Sequence, residues 1–65
     1  MDDTLYTVKT YFKDKNGEEH EKTFVCKGRS CASDLVFCMK KVLTRLRKQK
    51  LITVNEVTCT PPLPQ

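Results

Sequence analysis

The chain has one histidine, His20, two separated glycines, Gly17 and Gly28, and no tryptophan. Two isolated glycines make no Gly-rich loop for a phosphate. A cysteine nucleophile needs a base within hydrogen-bond reach, and the sequence places its one imidazole beside no particular cysteine. No apolar run is long enough to span a bilayer. Residues 1–65 amount to a single domain, and a domain this small has little volume in which to shape a catalytic pocket. The expectation is a non-enzyme with no cofactor and no membrane partner.

Close cysteine pairs are also missing. Cys26, Cys31, Cys38 and Cys59 are spaced C-x4-C-x6-C with a gap of twenty before the last. Structural zinc sites hold their ligands in tight pairs. Were Cys31 and Cys38 both helical, they would lie two turns and about 10 Å apart, too far for one ion. The opening Met1-Asp2-Asp3 is acidic, where an exported chain carries a basic and then an apolar leader. The expectation is a cytoplasmic chain with four free, mostly buried thiols and no metal. Glu18, Glu19 and Glu21 form a carboxylate cluster that reads as the solvated side of a strand.

A chain of this length buries only roughly 60% of its unfolded surface. Its apolar residues, 38% of the total, fall into three segments, which favours a fold over disorder. Residues 4–13 alternate as a strand, with Tyr6, Val8, Thr10 and Phe12 on one side and Leu5, Thr7, Lys9, Tyr11 and Lys13 on the other. Asn16-Gly17 is a strong hairpin signal, because both residues tolerate positive φ. Residues 18–27 return as a second strand, and Val8, Phe12, Phe24 and Cys26 form the expected core side.

After Gly28, Ser30 or Ser33 can cap a helix with Asp34 in its first turn. Residues 34–49 contain no glycine or proline, and Leu35, Val36, Cys38, Met39, Val42, Leu43 and Leu46 fall in one arc. Residues 51–60 form a third strand of inconsistent phase: Ile52 and Val54 share one parity, Val57 and Cys59 the other. A bulge near Asn55, or burial of both faces, would reconcile them. Pro61, Pro62 and Pro64 end the strand, and residues 61–65 read as a disordered tail. The fold class is α+β, a ββαβ chain: a β-hairpin, one amphipathic helix and a C-terminal strand, with the helix on one face of a three-stranded, mainly antiparallel sheet.

Charge is unevenly placed. Residues 1–29 hold six basic and six acidic side chains, whereas residues 34–50 hold Lys40, Lys41, Arg45, Arg47, Lys48 and Lys50 against Asp34 alone. The whole formal charge of +4 therefore resides in the helix segment, and an acidic partner is implied. Lys40, Lys41, Thr44, Arg47 and Lys48 lie opposite the apolar arc, with Phe37 among them. An exposed Phe ringed by lysines is the pattern of a binding anchor with a charged rim. The competing reading buries Phe37 under the Gly28 loop or against Ile52 or Leu63. A second candidate surface is the uncovered sheet face with Lys9, Tyr11 and Lys13, where aromatics among lysines could stack on bases. Glu19 and Glu21 on the neighbouring strand oppose phosphates there. Homodimerisation through that face or a strand edge is an equal reading.

The layout, with Tyr6-Thr7-Val8 in the opening strand and Val57-Thr58-Cys59 in the last, resembles small phage- and prophage-encoded proteins, among them a phage inhibitor of bacterial RNA polymerase. That resemblance implies a non-enzymatic protein that binds a host macromolecule. The leading expectation is a regulator or inhibitor docking its basic helix face on an acidic protein. The alternative is a nucleic-acid-binding module using the same cations on phosphates.

Overall fold

The computed structural model describes residues 3–63. Strand β1 (Leu5–Asp14) and strand β2 (Glu19–Lys27) form an antiparallel hairpin. Helix α1 (Arg29–Lys48) follows, and strand β3 (Ile52–Thr60) returns antiparallel to β1. The sheet order is β2-β1-β3, so β1 is the central strand. This is the expected ββαβ architecture. A twenty-residue helix and a ten-residue strand have nearly the same length, about 30–34 Å. Helix α1 therefore runs the length of the sheet.

The hairpin closes differently from the Asn-Gly expectation. Asn16 is not left-handed; only Gly17, at φ 87°, takes that conformation. The Gly17 amide donates to the Asp14 carbonyl at 3.0 Å, and the Asp14 amide donates to the Glu18 carbonyl at 2.9 Å. The Asp14 carboxylate replaces the missing geometry of Asn16. Its Oδ1 accepts the amides of Asn16 and Glu18 at 2.9 and 3.0 Å, the turn-forming habit of an Asx side chain.

The core is built on the even residues of β1. Tyr6, Val8 and Thr10 are buried, with Cys26, Ala32, Leu43 and Ile52. The Thr10 hydroxyl donates to the Lys22 carbonyl at 3.2 Å, so its burial leaves no orphaned donor. Phe12 and Phe24 are only half-buried. Phe12 stacks on His20 (ring centroids 4.8 Å apart), and the Lys22 ammonium lies 5.4 Å over the Phe24 ring. Leu63, in the segment expected to be a loose tail, packs against the core. Pro64 and Gln65 lie outside the described residues.

Helix α1 begins five residues earlier than expected. Gly28 is the N-cap, at φ 92°, with no side-chain cap. Neither Ser30 nor Ser33 caps the helix, and Asp34 falls in its second turn. The Gly28 amide donates to the Thr4 carbonyl at 2.8 Å, and the chain turns into the helix there. The early start brings in Ala32, which has no exposed surface and lies at the centre of the buried stripe. The stripe is thereby rotated from the expected arc. Leu35, Val36, Met39, Leu43 and Leu46 remain on it, whereas Val42 is 49% exposed and Cys38 is also exposed. Helix α1 packs chiefly on β3 and β1 and least on β2, which leaves that flank bare.

The phase problem of β3 resolves through a bulge, as expected, but at Thr53 and not near Asn55. Lys13 pairs with Val54 and Asp14 with Ile52, so Thr53 is the extra residue. The Thr53 hydroxyl donates to the Lys13 carbonyl at 3.4 Å. The bulge lets Ile52, Val57 and Cys59 all face the helix while Val54 turns outward. All four cysteines are free, but Cys31 and Cys38 are exposed and only Cys26 is fully buried.

The helix ends in a Schellman arrangement. The Leu51 amide donates to the Leu46 carbonyl and the Lys50 amide to the Arg47 carbonyl, each at 3.0 Å, with Lys50 at φ 61°. A left-handed lysine is strained where glycine is not. Lys50→Gly should therefore raise unfolding stability by about 0.5–1 kcal/mol in urea denaturation. Leu43→Ala should lower it by about 2–5 kcal/mol, whereas Val42→Ala should change it by less than about 0.5 kcal/mol. Equal losses at positions 42 and 43 would refute this rotation of the helix.

Candidate functional site: the outer face of the helix

The core fixes which side of α1 looks outward. Phe37 is five residues beyond Ala32, about 140° around the axis at 100° per residue. Its ring is accordingly 67% exposed. Neither the Gly28 loop nor Ile52 nor Leu63 covers it. A shallow groove runs from Phe37 along the helix, lined by Lys41, Thr44, Arg45 and Lys48. Four of the expected contact residues, Phe37, Lys41, Thr44 and Lys48, come together there.

Two expected members do not line the groove. Arg47 reaches sideways, its Nη1 donating to Asn55 Oδ1 of β3 at 3.5 Å. Lys40 is exposed on the same flank, seven residues before it. Arg45 is a member that the sequence reading left out. Helical projection puts it nearly opposite the buried stripe once Ala32 defines the centre, but the earlier arc placed it nearer the core. Among the described residues, no carboxylate lines the groove. Ion pairs form elsewhere, His20 with Asp14 at 3.0 Å and Lys27 with Asp3 at 3.8 Å. Part of this charge is structural in origin: Arg45, Arg47 and Lys48 in the last turn complement the negative end of the helix dipole. The dipole gives no reason for Lys41 or for a bare phenylalanine.

The uncovered sheet face differs in character. Lys9, Tyr11 and Lys13 lie on it as expected, but pairing places Glu21 and Glu56 on either side of Tyr11 and Glu19 beside Lys13. The Tyr11 hydroxyl donates to Glu19 Oε1 at 3.2 Å. Partial burial raises the Tyr11 pKa, and the Glu19 hydrogen bond and the carboxylates of Glu19, Glu21 and Glu56 push it the same way. Around Tyr11, three carboxylates balance Lys9 and Lys13, which makes a poor phosphate surface. The apolar end of this face holds Leu5 and Val25, 62% and 68% exposed.

At the hairpin tip, Asp14, Glu18 and His20 converge. His20 Nε2 lies 3.0 Å from Asp14 Oδ2. The His20 hydrogen bond holds the Asp14 carboxyl below the usual carboxylate range, aided by the Glu18 and Asn16 amides and opposed by partial burial. Cys26, Cys31 and Cys59 gather at the opposite end. Cys26 shares a hydrogen bond with Cys31, which together with burial pushes the Cys26 thiol up. A raised thiol pKa disfavours the thiolate that nucleophilic chemistry uses. Cys26 lies six residues along β2 from His20, about 20 Å of strand.

Among the described residues, no helix is long and apolar enough to cross a membrane. No protein-family model, curated protein or solved structure matches the chain.

The charge balance of the sheet face can be read optically. In a Tyr6→Phe background, where Tyr11 is the sole phenol, the absorbance titration of Tyr11 should have its midpoint above that of free tyrosine. Glu19→Gln removes one of the causes that raise it, so the midpoint should fall. An unchanged midpoint would mean that Glu19 does not act on the hydroxyl.

Proposed function

We propose that this chain is a non-enzymatic protein-binding regulator or inhibitor that docks the outer face of α1 on an acidic protein surface, with Phe37 as the apolar anchor. The observation that carries the reading is the 67% exposed Phe37 ring in a groove lined by Lys41, Arg45 and Lys48 and by no carboxylate. Burying a phenylalanine side chain against a partner contributes roughly 1.5–3 kcal/mol. The surrounding cations steer an acidic partner and set its orientation. A phosphate backbone would use the same cations but would gain nothing from the ring unless a base stacked on it. The protein reading uses every residue of the groove, and a nucleic-acid reading uses only part of it.

Two variants test this. Phe37→Ala removes an exposed ring, so it should melt within a degree or two of the parent while partner capture falls by about 2 kcal/mol, some thirtyfold. Lys41→Glu with Lys48→Glu should also leave melting near parental, slow association and change its salt dependence. Capture is measured from nuclease-treated and untreated extract of the source cell. Loss of capture on nuclease treatment, with affinity falling about 0.9 log unit per log unit of salt for each phosphate contact, would hand the site to nucleic acid. Unfolding of Phe37→Ala would place the ring in the core and end the anchor reading.

A further inference from the structure

We propose that Asp14, Glu18 and His20, at the tip of the β1–β2 hairpin, form a binding site for a divalent transition-metal ion of the zinc class. One ligand atom from each residue, the imidazole nitrogen and two carboxylate oxygens, lies within 4.8 Å of the other two. This site is separate from the helix face and does not depend on its function.

The distances suit a small ion. Zinc binds imidazole nitrogen at 2.0–2.1 Å and carboxylate oxygen at 2.0–2.2 Å, so ligand atoms in a tetrahedral site sit about 3.4 Å apart. His20 Nε2 and Asp14 Oδ2 are 3.0 Å apart and would open by a few tenths of an ångström to admit the ion, while the exposed Glu18 carboxylate, within 4.8 Å of both, would swing in to complete the set. The metal would take the place of the shared proton. Two of the three ligands are also held before any ion arrives. Asp14 spends Oδ1 on the amides of Asn16 and Glu18, which leaves Oδ2 turned toward the imidazole. The His20 ring lies stacked on Phe12 at an interplanar angle of 17°. Hydrogen bonds hold the Glu18 backbone opposite Asp14, and its exposed side chain would turn onto the ion from there. Asp14 and His20, braced in this way, lose less freedom on binding.

The donor set selects the metal. Magnesium and calcium take all-oxygen shells, whereas an imidazole with two carboxylates suits zinc, cobalt or nickel. Three protein ligands leave a fourth position for water, the open arrangement, not the closed one of structural zinc sites. Two carboxylates balance the charge of the ion. The cysteine spacing pointed away from zinc, and this site uses no cysteine.

The probe is Co²⁺, titrated into the reduced protein, with Zn²⁺ as competitor. The expected result is one Co²⁺ per chain, visible bands without near-ultraviolet thiolate charge transfer, paramagnetic loss of the His20 ring signals, and displacement by Zn²⁺. His20→Gln should lower the affinity tenfold or more. Glu18→Gln should do the same while keeping the Asp14 turn intact, because only the backbone of Glu18 serves that turn. Zn²⁺ should raise the melting temperature of the parent and leave that of His20→Gln unchanged. Thiolate charge transfer, an absence of saturable binding, or parental affinity in a folded His20→Gln variant would each overturn the proposal.

Discussion

Val8, at the middle of the central strand, and Ala32, in the first turn of the helix, belong to one cluster, and neither has any accessible surface. Alanine is small, and its position lets the helix backbone come close to the sheet. That close approach fixes the rotation of α1 about its own axis. Every other assignment of its faces follows at 100° per residue. Leu43 is driven inward, Val42 is left at the margin, and Phe37 is carried to the far side.

A chain of 65 residues has one helix with which to cover a three-stranded sheet. Within the chain one sheet face is therefore left uncovered. The outer side of the helix is too, and the two surfaces differ in character. The open sheet face carries threonine, lysine and glutamate of mixed sign, with Leu5 and Val25 exposed at one end and Val54 near the other. The helix face is dressed with cations of one sign around a single ring. The contrast between the two surfaces is what supports reading the helix as the side that meets a partner.

Local chain chemistry does much with few residues. Gly28 ends one strand and starts the helix at positive φ. Asp14 closes the hairpin, braces His20 and orients its own second oxygen. Thr53 shifts the phase of β3 by one residue, so that apolar positions of both parities reach the core. None of these devices needs a large core, which suits a domain whose buried residues are few.

The order of elements, the antiparallel hairpin, the amphipathic helix and the need for a bulge in the third strand were legible in residue patterns, because period-2 and period-3.6 alternation are local properties of the chain. The placing of Phe37 on the same side as Lys41, Thr44 and Lys48 was legible for the same reason, but local pattern leaves open whether another segment covers its ring. The membership of Arg45, the departure of Arg47 toward Asn55 and the exposure of Val42 and Cys38 were not. They depend on where Ala32 sits, and Ala32 lay outside the helix that the sequence outlined from Asp34 onward. The grouping of Asp14 with Glu18 and His20 was hidden as well, since the turn expected of Asn16-Gly17 gave Asp14 no part in it. Sequence by itself determined the kind and order of the elements and which residues alternate within each. The tertiary structure alone decided which face is turned inward and which distant side chains meet, because only packing of the helix against the sheet chooses among rotations that local pattern leaves equivalent.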